Sequence, residues 1–241
     1  MFPHQAYEDR IVAFIDILGF SDMVAGTEAD VHKLRHLTTA LDELYNKIWL
    51  WEADGSYSPF AFTQFSDSIV ISSLADSPDS FEMLMQLLIG IMELVDKYDI
   101  LVRGGIARGS LIHDTTMLVG PAMVRAYELE SKKAVYPRII LEKGLKEQLE
   151  ADVEDYIKNH LHLPEVPEQN NLFKTDDDGW CYLNYINPPS CYNIELGQRD
   201  HLKALENLAK KGLQSTDDRI RTKYKWLQNK VEKAREGTLK L

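Results

Sequence analysis

Phe14-Ile15-Asp16-Ile17-Leu18-Gly19-Phe20 is the stretch on which the reading of this chain turns. The residues that lead into it, Ile11 to Ile15, are an unbroken apolar run, which predicts a strand buried on both faces. That run closes on a carboxylate, then a glycine and a polar segment that opens a helix. An Asp at the end of a buried strand needs a partner, because an unpaired buried carboxylate is costly to desolvate. A second stretch repeats the arrangement: Phe60–Phe65 runs into Ser66-Asp67-Ser68, and Ile69-Val70-Ile71 follows. Taken singly, Asp16 reads as a helix cap and Asp67 as a turn residue. On neighbouring strands the two carboxylates together favour a shared divalent cation.

Working outward, Val31, Leu34, Leu37, Leu41, Leu44, Ile48 and Trp51 keep a helical period over Asp30–Glu52. The strands Phe60–Phe65 and Ser68–Ser73 are close enough to form a hairpin with Asp67 at its turn. Ser77-Pro78-Asp79 starts a strongly apolar helix to Tyr98, and a strand follows from Val102 to about Ile112. The order βαββαβ predicts an α+β fold with a ferredoxin-like core, in which the first and third strands are antiparallel neighbours. Asp16 and Asp67 would then meet at one sheet edge. Pro121 opens a helix through Glu130, Arg138–Leu141 is a further strand and Glu142–Leu149 a short helix. Residues 150–177 read as a loop-rich insertion. Asp178-Gly179 turns a hairpin into Trp180–Ile186, with Asp176–Asp178 a solvated turn. His160 and His162 read as surface residues. Beyond Pro188-Pro189, Leu202, Leu205 and Leu208, then Ile220, Tyr224, Leu227 and Val231, mark two amphipathic helices that pack on the core or join two copies.

With 241 residues and 44% hydrophobic composition, the chain can bury one good core and a small appendage. A net charge of −11 argues against sequence-independent nucleic-acid binding. Two cysteines, Cys181 and Cys191, make no disulfide framework and lack metal-ligand spacing. No apolar run is long enough to span a bilayer and the N-terminus lacks signal-peptide shape, so a cytoplasmic protein without membrane contact is expected.

Four segments together carry a resemblance: Phe14–Phe20, Asp67 within Phe65–Ser68, Val102-Arg103-Gly104-Gly105-Ile106-Ala107-Arg108-Gly109, and Gly120–Glu130. Their order and spacing, over roughly residues 10 to 145, resemble the class III nucleotidyl cyclases. The resemblance implies a catalytic domain over 1–190 with a helical extension over 191–241. It implies two Mn²⁺ or Mg²⁺ ions per active site, held by Asp16, Asp67 and the Ile17 carbonyl. Phe14, Leu18, Gly19 and Phe20 would lie along the nucleotide, with backbone N–H groups of Leu18 to Phe20 facing its triphosphate. Sites would form between the subunits of a homodimer.

The departures from that family bear on substrate. Thr63 stands where purine cyclases carry a base-reading Lys or Glu, and Met117 where they carry an Asp or small polar residue. Val124 and Glu128 replace the usual Asn and Arg. Either activity is lost or the base differs. Ser66-Asp67 and the Arg-Gly-Gly-Ile-Ala-Arg-Gly strand look similar to the pyrimidine cyclases of the bacterial anti-phage Pycsar system, which implies cyclic UMP or cyclic CMP as product. UTP is favoured over CTP only as the commoner branch. Arg108 and Arg125 are the candidates for the missing transition-state arginine; Arg103 reads better as a salt bridge. A degenerate nucleotide-binding module and a ferredoxin-like interaction domain are the competing readings.

Overall fold

The computed structural model describes residues 6–49, 60–77, 79–156, 172–187 and 200–238. His160, His162 and Cys191 lie outside them. β1 (Glu8–Ile17) is flanked on one side by β3 (Ser68–Leu74) and on the other by β4 (Val102–His113), antiparallel to both. β2 (Phe60–Phe65) completes the edge, giving the order β2-β3-β1-β4. The expected neighbour relation of the first and third strands is therefore present. The sheet continues through β6 (Ile139–Leu141), β8 (Cys181–Leu183) and β7 (Phe173–Thr175), and a two-residue strand β5 (Leu118–Val119) pairs with the end of β4. β4 and β6 are parallel, so among the described residues the sheet is mixed.

The pleat of β1 sorts its side chains into two layers. Ile11, Ala13, Ile15 and Ile17 pack with α2 (Val31–Trp49) and α3 (Asp79–Tyr98), while Val12 and Phe14 pack with α4 (Pro121–Lys132). Both faces of β1 are buried, as its continuous apolar run predicts. Gly104 and Gly105 let neighbouring backbone approach. A Cβ on Gly105 would sit 2.5 Å from the Ala126 carbonyl and from Leu129 Cβ, so any side chain there would push α4 away.

Several boundaries differ from the sequence reading. A short helix α1 (Phe20–Ala25) follows β1 at once, and α5 (Leu145–Tyr156) starts later and runs further than expected. The last two helices, α6 (His201–Gly212) and α7 (Asp218–Thr238), belong to the main core through Leu205, Leu208, Leu227 and Val231.

The larger correction concerns Asp176–Asp178. Asp176 is buried, not solvated, and sits with Arg138, which has no exposed surface. Arg138 bonds Asp176 and Asp178, and Lys230 of α7 also pairs with Asp176. The Trp226 indole N–H donates to Asp176 at 2.6 Å. Tyr136 stacks on Trp226 at 5.4 Å, and the Arg138 guanidinium lies 5.0 Å from the Tyr136 ring centre. A charge run on a hairpin is usually solvated; Asp177 and Asp178 are exposed as expected, and only Asp176 is covered, by α7 and Arg138.

Candidate active site

Register brings the two strand-end carboxylates together. Asp16 stands opposite Ser68 on β3, and the Ile17 N–H donates to the Asp67 carbonyl at 3.0 Å. The hairpin turn that presents Asp67 holds Ser66 at φ 56°, a left-handed conformation uncommon for a residue with a side chain. Burial raises the Asp16 carboxyl above its ordinary value; Arg103 opposes the rise and the nearby Asp67 adds to it.

The residue paired with Asp16 on its other side is Arg103. Its guanidinium donates to Asp16 at 3.0 Å and makes a 2.7 Å ion pair with Glu130 near the end of α4. Glu130 is buried, and burial raises its carboxyl, with Arg103 opposing and Asp16 and Asp67 adding to the rise. Lys223 of α7 completes the group: burial and Arg103 lower its ammonium, while Asp16 and Glu130 act the other way. The corner thus holds three carboxylates under two cations, and Asp16 and Glu130 stay under-compensated.

Arg103 and Glu130 carried legible signals. Once β1 and β4 are antiparallel neighbours, 103 falls beside Asp16. Glu130 continues the Ala122 and Ala126 stripe at helical spacing, where an apolar residue is expected. Lys223 carried none.

The other candidates divide. Arg108 pairs with Asp9 and Asp76, each at 2.7 Å, and its register partner is Ile11. Five residues along β4 from Arg103, it alternates to the opposite face of the sheet. Arg125 pairs with Glu142 at 2.7 Å and bonds the Arg108 carbonyl. Neither arginine meets Asp16 within the chain. Phe14 lies edge-on to Tyr127 at 5.5 Å. The Leu18 N–H is taken by the Leu101 carbonyl at 2.9 Å, so it does not face a ligand as expected; Gly19, at φ 76°, and Phe20 open α1.

Thr63 is part of a buried relay that the sequence did not announce. The Arg10 Nε–H donates to Ser72 Oγ at 2.9 Å, and Ser72 Oγ lies 2.8 Å from His113 Nδ1. His113 Nε2 lies 3.0 Å from Thr63 Oγ1. Burial, with Arg10 adding, lowers His113 to about 4, so the imidazole is neutral at pH 7. Ser72 is fully buried; with its hydroxyl proton directed at Nδ1, the proton of neutral His113 is assigned to Nε2, from which it donates to Thr63. The Thr63 hydroxyl then keeps its own proton as a donor.

A cation at the corner would find oxygen donors: the Asp16 and Asp67 carboxylates and the Ile17 carbonyl. Such a set suits a hard divalent ion, and the raised Asp16 is the charge such an ion relieves. Arg103 competes for it. Among the described residues no three His, Cys, Asp or Glu side chains gather into a metal-binding group. No described helix is long and apolar enough to cross a membrane.

No family model and no curated protein matches the chain. Among solved structures it is similar to a bacterial light-regulated adenylyl cyclase, at 12% identity and a TM-score of 0.41, over 93% of this chain and 57% of that one. The chain spans little more than half of that protein's length, and a likeness at this level leaves the reading to the geometry of the site itself.

Proposed function

We propose that the chain is a nucleotide cyclase that converts a pyrimidine nucleoside triphosphate, UTP before CTP, into its 3′,5′-cyclic monophosphate and pyrophosphate. The observation that carries this is the meeting of Asp16 and Asp67 at one edge, with Asp16 held above its ordinary pKa. The order β2-β3-β1-β4 supports a ferredoxin-like core beneath it. Asp16, Asp67 and the Ile17 carbonyl would hold two Mg²⁺ or Mn²⁺ ions, which supply activation of the ribose 3′-hydroxyl and neutralisation of the departing diphosphate.

The chain's own part is to position and to balance charge. The 3′ oxygen forms a bond to the α-phosphorus, the α–β bridging P–O bond breaks, and the hydroxyl proton leaves to solvent. Arg103, which reaches both Asp16 and Glu130, would be placed to bond a phosphate oxygen beside Asp16. The Thr63 proton can donate to the O4 acceptor of uracil, which supports placing UTP before CTP. Val124, Tyr127, Met117 and Val119 are exposed within the stretch 117–127 and support a homodimer through that face. A second-messenger role in anti-phage defence follows the sequence resemblance alone.

A second reading, a non-catalytic nucleotide-binding module, is favoured by one observation: the Arg103 guanidinium already bridges Asp16 and Glu130. Incubation with each of the four nucleoside triphosphates and Mn²⁺ separates the two. Pyrophosphate and a cyclic pyrimidine monophosphate are expected; nucleotide binding without either product establishes the second reading. Mixing Asp16→Ala with Arg125→Ala subunits tests the interface: partial recovery of activity is expected if Arg125 serves the partner's site.

A further inference from the structure

Arg103 also lines a cavity of about 440 Å³ between the C-terminal end of α4 and the first turns of α7. Around it stand Arg103, Lys132, Lys133, Arg219 and Lys223, with Asp217 the one carboxylate of its wall. For a chain of net charge −11, this concentration of positive charge is out of keeping with the rest of the sequence.

The pairing of these groups shows which charges are left over. Lys132 is paired with Glu128 at 2.6 Å, and Arg103 with Asp16 and Glu130. Asp217 is engaged at the start of α7, where it accepts the Arg219 backbone N–H at 2.7 Å. The Arg219 guanidinium makes a long ion pair with that carboxylate, 3.7 Å, and is almost fully exposed, so most of its hydrogen-bonding capacity faces outward. Among the described residues no carboxylate lies within ion-pair distance of Lys133 or Lys223. Lys223 is half-buried beside two arginines, Arg103 and Arg219, which make its charge harder to keep.

Cations that repel one another around a cavity are stabilised by an anion between them. Arg219 and Lys223 lie one turn apart on α7, about 6 Å along its axis, and Lys133 approaches from the end of α4. A chain of two or three phosphates offers enough anionic oxygens to engage these cations together. Guanidinium and ammonium groups together bond phosphate oxygens well, the first as a fork and the second as a point charge.

We propose that this cavity is a binding site for a di- or triphosphate group, held by Lys133, Arg219 and Lys223, with Arg103 shared between it and the carboxylate corner. The anion comes either from the tail of a nucleotide or from free inorganic polyphosphate. The site rests on the cavity and its charges, not on turnover, so it stands or falls separately from the cyclase reading.

The test is calorimetric titration of the whole protein with inorganic triphosphate, in EDTA, at about 0.15 M salt. Binding is expected. Lys133→Glu, Arg219→Glu and Lys223→Met should each weaken it about tenfold or more, and Lys133→Glu with Arg219→Glu should abolish it. Lys133 and Arg219 are exposed, so unchanged melting temperatures confirm folded variants. Asp16→Asn should bind the anion at least as well as the native chain. The proposal is overturned if triphosphate does not bind, or binds the double variant with native affinity. A non-hydrolysable UTP analogue then names the source. One-for-one displacement of triphosphate assigns the site to a nucleotide tail, and simultaneous binding assigns it to a separate polyphosphate.

Discussion

The carboxylate corner and the Arg138 cage are built from the same parts and end in opposite states. Each gathers acids of which one is buried, Glu130 or Asp176, with an arginine and a lysine from α7. In the cage, burial pushes the Asp176 carboxyl up, yet Lys230, Trp226, the Asp177 N–H and Arg138 together bring it below its ordinary value. In the corner, Arg103 and Lys223 leave Asp16 and Glu130 above theirs. The Asp176 charge of the cage is answered by the protein, with Arg138 Nε the one buried nitrogen of the guanidinium left without a partner among the described residues; in the corner the answer to the acids is incomplete. A satisfied polar network fixes a structure, while an under-compensated one has interaction energy in reserve for a ligand.

The sharpest way to break that contrast is to neutralise one acid of the corner. Asp16→Asn should lower turnover by roughly 10²–10³-fold or more, the size expected for losing one charge-stabilising group. It should leave the melting temperature unchanged or higher. The sign follows from the raised carboxyl: the folded state holds its proton more tightly than the unfolded chain, so ionised Asp16 costs stability above its folded pKa. Assay of product alongside thermal melts checks both halves, and a clear loss of stability would place the corner with the cage.

Arg138→Leu should behave in the reverse way. It strands Asp176 in the interior with its charge half-answered, a loss of about 3–5 kcal/mol, or roughly 6–20 °C in melting temperature for a domain of this size. If that variant melts like the native protein, the cage is not a structural device. His113 offers a third comparison, a buried group that is neutral by burial. Its folded pKa of about 4 lies below the ordinary histidine value of 6.5, so its share of stability is complete above about 6.5 and is lost as pH falls from there through 4. The share is about 3 kcal/mol. Denaturant unfolding between pH 4 and 8 should show His113→Gln with a flatter profile than the native chain. The smallest effect is at Thr63. Thr63→Val should lower kcat/KM for UTP by roughly several-fold to a hundredfold, with CTP less affected. Equal changes for UTP, CTP and ATP would remove Thr63 from base reading.

The strand order and the pairing of Asp16 with Asp67 were legible because both rest on local signals. The apolar run Ile11–Ile15, the near-absent gap between Phe65 and Ser68, and the two helical periods require only their own stretch of sequence. Arg103 was legible in principle, since register follows once β1 and β4 are neighbours. It reads as a salt bridge and is one; what the single residue did not show is that its partners are Asp16 and Glu130. Asp176 misled for the opposite reason. Three successive aspartates before a glycine resemble a solvated turn in any sequence, and only the return of α7 over the hairpin makes Asp176 an interior residue. The Arg10–Ser72–His113–Thr63 relay joins four residues spread over a hundred positions, and no periodicity marks such a set.

One helix carries residues of both clusters. Lys223 stands at the corner, and Trp226 and Lys230 stand in the cage, two turns of α7 apart at most. In folding, this makes the corner a late construction. The β1–β3 contact of Asp16 joins residues about fifty positions apart, whereas Lys223 approaches Asp16 only after a chain excursion of some two hundred residues has closed. Loop closure over such a span adds little to the free-energy difference but much to the search. The two acids are therefore expected to be in place before their cationic wall arrives. The order of assembly, sheet first and α7 last, leaves the carboxylates open to a cation during the time when Lys223 has not yet closed over them.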